Sequence, residues 1–130
     1  MATNLENAIA NYHATVSNQN TFWNFYFAVA FGLLAFLGST EDISVRTESV
    51  TIAAFAVFCV CNLSMICLIH RKLVATAHAI QSYYENHEDE VPTEFRGIVT
   101  GLTAIPLPIV VLFHVAASVG FVVVMRIVCF

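Results

Sequence analysis

The chain has 130 residues, 58% hydrophobic and only 11% charged, with five Lys or Arg, nine Asp or Glu and a formal charge of −4. A typical soluble domain carries roughly 25% charged residues, and a small one needs them because it buries a lower share of its area. The excess apolar surface therefore belongs in lipid. The absence of any clustered basic tract excludes nucleic-acid binding and polybasic attachment to anionic lipid surfaces.

The first 20 residues contain no Lys or Arg, and the first apolar run begins only at Thr21. A cleaved leader has a basic start and an early apolar core, so this run is expected to be retained. Ahead of it, Leu5, Ile9, Tyr12 and Val16 recur at helical spacing, and Thr3 with Glu6 matches a capping box. An amphipathic helix over 4–18 is expected, lying on the membrane surface or packed on other extramembrane parts. Without basic residues it is a poor headgroup anchor.

A first span over 21–38 is roughly 27 Å long at helical rise, enough for the hydrocarbon core. Phe22, Trp23, Phe25 and Tyr26 open it like an interfacial aromatic belt. Ala28 and Gly32 make a small-xxx-small pair that permits close helix approach. The polar stretch 39–49 is a short connector.

A second span over 50–69 meets His70-Arg71-Lys72, yet no Gly or Pro follows. Leu73, Ala77, Ile80 and Tyr84 keep an apolar stripe, so one helix is expected to continue beyond the bilayer to about residue 88. That stripe must pack on the N-terminal helix or on a second copy.

Pro92 is suited to opening the next helix, an amphipathic one over 93–105 with Phe95, Ile98, Val99, Leu102 and Ile105 on its apolar face. Gly97 and Gly101 form a G-x-x-x-G in it. Pro106 and Pro108 are the expected hinge, since each ring removes a backbone donor. The third span follows over 109–128, with Ala116 and Gly120 as a further small pair and Arg126 snorkelling at its end. The fold class is thus an all-α integral membrane protein: three transmembrane helices plus an N-terminal amphipathic helix, the second span extended and the third kinked at the prolines. No internal repeat is visible. Three Lys or Arg (Arg71, Lys72, Arg96) fall on one side and two (Arg46, Arg126) on the other. The positive-inside tendency puts the 70–97 segment in the cytoplasm and the C-terminus outside, in a multi-pass protein of the cell (inner) membrane.

Inside the spans the costly residues are Asn24, Asn62 and His114. Ser118 shares a face with His114, and Cys59 a similar face with Asn62, which makes these four the candidates for a pore or polar cavity. Helix-to-helix hydrogen bonds are the plain alternative. Haem carried by His114, with His70 as partner, is the remaining cofactor alternative, and no cofactor is otherwise expected. Glu85, His87, Glu88, Asp89 and Glu90 form a cation-attracting patch, or simply the solvated end of a helix. His70, His78 and His87 are eight and nine apart and cannot share one ion on a straight helix. Cys59-Val60-Cys61 has no metal or redox spacing, and all four cysteines sit in apolar stretches. No nucleophile with a base, phosphate loop or zinc site is present, so no enzyme is expected. The expectation is a homo-oligomer in the lipid bilayer that forms a pore or channel. The alternatives are an accessory subunit of a larger membrane complex and a haem- or metal-carrying redox subunit.

Overall fold

The computed structural model describes residues 2–39, 43–87, 89, 91–102 and 104–129. Four helices make up the fold: α1 (Ala2–Gly38), α2 (Val45–Asn86), α3 (Thr93–Thr100) and α4 (Leu107–Cys129), with no strand among the described residues. α1 from Leu5, α2, and α4 as far as Ile127 are each long and apolar enough to cross a membrane. The protein is an all-α membrane protein with three membrane-spanning helices.

The separate helices expected over 4–18 and 21–38 are a single 37-residue helix. Residues 17–21, Ser-Asn-Gln-Asn-Thr, are weak helix formers but not breakers. Their hydroxyls fold back onto the helix, as Thr21 Oγ1 does on the Ser17 carbonyl at 3.0 Å. Ala2 is already helical, so Thr3 lies inside the helix instead of capping it. α2 likewise begins earlier than residue 50, because Ser44 is its N-cap and accepts from the Thr47 backbone N–H at 3.2 Å. α2 then runs 42 residues to Asn86, far past the basic triplet.

At 1.5 Å per residue α1 and α2 are about 56 and 63 Å long, nearly twice the hydrocarbon thickness. They pack antiparallel along this length and divide the molecule into two storeys. The stalk storey joins Leu5, Ile9 and Tyr12 of α1 to Leu73, Ala77 and Ile80 of α2, with Val91, Val99 and Leu102 closing one side. The 73–84 stripe is thus covered within the chain by the N-terminal half of α1. The membrane storey joins Tyr26, Ala30, Leu37, Phe55, Cys59 and Met125. The outer surfaces differ as the two solvents require. Nearly all large exposed apolar side chains, Phe31, Val57, Leu68, Leu112 and Ile127 among them, belong to the membrane storey, whereas Ile98 is exposed in the stalk.

The amphipathic helix expected over 93–105 stops at Thr100, with Gly101 as its C-cap donating to the Gly97 and Ile98 carbonyls at 3.2 Å. A Cβ on Gly101 would lie 3.2 Å from the Gly97 carbonyl oxygen, so Gly101 serves this closure instead of a G-x-x-x-G helix face. Val99 and Leu102 are buried, but Ile98 and Ile105 are not, since the chain has left the helix by residue 102. Pro106 and Pro108 do not kink a continuous third span; they start a new helix. Pro106 precedes α4 and offers its carbonyl to the Ile109 N–H at 2.9 Å, and Pro108 occupies the first turn, where N–H groups have no helical partner anyway.

At the far end Arg126 of α4 reaches Glu48 of α2 at 3.6 Å. Arg126 is mostly exposed, so the pair is worth about 0–1 kcal/mol. Each partner also complements the dipole of its own helix end.

Continuity of α1 across the membrane surface has a direct test. Asn18→Pro, at an exposed mid-helix position, is expected to lower thermal stability in detergent by about 3 kcal/mol. A neutral effect would mean two helices with a joint between them.

Candidate functional site

Two polar clusters lie between the helices, both in the membrane storey or at its edge. In the deeper one the expected Asn62, His114 and Ser118 come together, and Tyr26 joins them. Asn62 is 4%, His114 1% and Tyr26 0% exposed. The Ser118 hydroxyl lies 2.8 Å from the His114 carbonyl, which can only accept, so serine's one proton goes there. Ser118 Oγ is therefore the acceptor for the Tyr26 hydroxyl at 3.0 Å and for His114 Nδ1–H at 3.3 Å. The neutral imidazole then presents a bare Nε2, which accepts from Asn62 Nδ2 at 3.2 Å. Each of the four side chains thus has a partner within the set. Around it Tyr26 and Trp23 cover the imidazole, with ring centroids 4.6 and 5.4 Å from it. Cys59 is buried one turn from Asn62 but belongs to the apolar cluster of Tyr26, Phe55 and Met125. Asn24 differs from all of these: it lies on the exposed face of α1, with no hydrogen-bond partner among the described residues.

The second cluster is centred on His70, 2% exposed at the top of the second span. Its Nε2 donates to the Ile105 carbonyl at 2.7 Å, and its Nδ1 faces Gln19 Nε2 at 3.4 Å. His70 and His114 are thus opposite tautomers. Both rings have both nitrogens engaged by protein groups, which leaves neither histidine a nitrogen for haem in this conformation. One stalk contact completes the arrangement: Gln81 Nε2 donates to the Leu102 carbonyl at 2.8 Å. Two side chains of α2 therefore hold the irregular 101–106 link. Non-helical backbone near the bilayer persists only where such partners exist.

Beside His70 a groove of about 560 Å³ opens between α1, α2 and the start of α4. Its stalk end carries Tyr12, Gln19, Asn20 and His70, and its membrane end Trp23, Phe27, Ile109 and Phe113. Ile105, Ile109 and Phe113 are each more than half exposed, so the groove opens sideways toward lipid. That volume and apolar lining with a few polar groups fit a ligand site.

The expected acidic patch lies partly outside the described residues. His87 caps α2 and stacks on Tyr83 at 4.4 Å, with Nδ1 donating to the Tyr83 carbonyl at 3.1 Å. Glu85 and Asp89 are exposed, and Glu88 and Glu90 lie outside the described residues. Among the described residues no group of three His, Cys, Asp or Glu is placed to hold a metal ion. Comparison of the chain with protein-family models, curated proteins and solved structures gave no match.

Tyr26 and Gln19 were not singled out as partners from sequence, and His70 was considered only as a haem ligand. A signal exists in the 4-3 spacing of Leu5, Ile9, Tyr12, Val16, Gln19, Trp23, Tyr26, Ala30 and Leu33, which runs unbroken through α1 as one packing seam. Polar members of such a seam are the ones that need partners.

Asn62→Leu strands His114 Nε2 and is expected to cost about 1–3 kcal/mol. In that background His114→Phe should cost less than it does alone, measured by thermal unfolding in detergent. Strictly additive losses would sink the network.

Proposed function

We propose that this chain is a non-enzymatic membrane subunit that assembles with copies of itself through the lipid-facing side of α1. The observation that carries the reading is the stripe Asn24, Ala28 and Gly32. All three residues are exposed, one turn apart, and the Asn24 amide is unpartnered among the described residues. An amide facing hydrocarbon is costly unless it is bonded across an interface, and small residues beside it let a second helix come close. Ala116 and Gly120 present a similar exposed pair on α4. Added Cβ atoms at Gly32 and Gly120 would meet nothing within 4 Å, so neither glycine is needed for packing within one chain.

The pairing of His114 with Asn62 inside the protomer supports a structural part for that network, not a conducting one. The reading is therefore of a scaffold more than of a channel. Arg71, Lys72 and Arg96 at the stalk end, against Arg46 and Arg126 at the other, support a stalk on the cytoplasmic side of the cell membrane.

The test is particle mass in mild detergent. The wild type is expected at a multiple of 14.3 kDa. Gly32→Leu should give a folded single chain, and Asn24→Leu should weaken association by about three- to thirtyfold. A monomeric wild type overturns the reading, and larger co-purifying chains with no self-association favour an accessory subunit.

A further inference from the structure

We propose that the groove beside His70 is a binding site for one anionic phospholipid of the surrounding bilayer. The inference is independent of self-association. Three observations carry it.

The groove is built along the bilayer normal. Its lining on α1 runs from Tyr12 to Phe27, fifteen positions apart or roughly 22 Å of helix. That is about one hydrocarbon leaflet of ~15 Å plus a headgroup layer. Its open side is formed by Ile105, Ile109 and Phe113, all part of the lipid-facing surface, so a lipid enters sideways without crossing water.

Polar capacity is concentrated at the end where a lipid has its esters. His70 is fully used by Ile105 and Gln19. Gln19 has no other hydrogen bond among the described residues, and Asn20 has none. Both amides line the groove and offer N–H donors at the depth of ester carbonyls, with Trp23 one turn below as an interfacial ring. An acyl chain would descend from there past Phe27 and Phe113.

The charge at this level has one sign. Arg71 and Lys72, both exposed, follow His70 directly. The nearest carboxylates beyond them on α2 and above Gln19 on α1 are Glu85 and Glu6, roughly 20 Å along the helices. A phosphate above the groove therefore lies at the level of two cations of α2, neither of which lines the groove itself, and meets no acid from α1 or α2. Two charges do not make a polybasic surface, but they select the head of a lipid already held by its chain.

Trp23 is the protein's one tryptophan and it lines the groove, which supplies the probe. The full chain is reconstituted in phosphatidylcholine vesicles, and Trp23 fluorescence is titrated with phosphatidylglycerol or phosphatidylcholine carrying brominated acyl chains. The bromines quench on contact. Quenching should favour the anionic lipid by about fivefold or more, the worth of one or two cations at a membrane surface. R71Q/K72Q should remove the preference while leaving quenching by brominated phosphatidylcholine intact. Ala104→Phe, which fills the groove but keeps both charges, should abolish the preference and reduce quenching by either lipid. Equal quenching by the two lipids in the wild type overturns the proposal. So does a preference that survives Ala104→Phe, since that would be enrichment at the charged surface and not occupancy of the groove.

Discussion

The rest of the structure depends on α1 and α2 staying paired across a change of solvent. In the stalk their seam is held by ordinary burial: Leu5, Ile9, Leu73 and Ile80 leave water when they meet. In the bilayer that drive disappears, because lipid tails are as apolar as the side chains. Association there rests on close packing, on Tyr26 of α1 stacking against Phe58 of α2, and on hydrogen bonds that tie each of the two helices to α4. One pair of helices therefore uses two kinds of adhesive, and the polar side chains appear where the first kind runs out.

This accounts for the placement of the costly residues. Asn62, His114, Ser118 and Tyr26 sit where three helices meet, and each has a hydrogen-bond partner within the set. A half-satisfied set at that depth would be worse than an apolar core. His70 and Gln81 do a related task at the stalk, satisfying backbone carbonyls that the break between α3 and α4 leaves outside any helix. The break in turn holds α4 away from α1 at its start, and the groove lies in the resulting gap.

Two features suited to a partner lie on the outer surface of the described residues. The Asn24 stripe and the open side of the groove face outward on α1 and α4, and Gly32 in the stripe is not needed for packing within the chain.

The number of spans, the long reach of α2 past His70-Arg71-Lys72 and the break at Pro106 were legible in the residues, because they follow from local quantities. Apolar run length, helical periodicity and a missing N–H need no knowledge of neighbours. Element boundaries were less legible: Ser17 to Thr21 read as a joint, and a continuous partner helix alongside kept it helical. The partners were not legible at all. Asn62 and His114 are 52 positions apart, and Gln19 and His70 are 51 apart. Nothing local pairs them. The antiparallel alignment of α1 on α2, with α4 laid against both, brought those groups within hydrogen-bond reach. The same packing left Asn24 on the exposed face of α1.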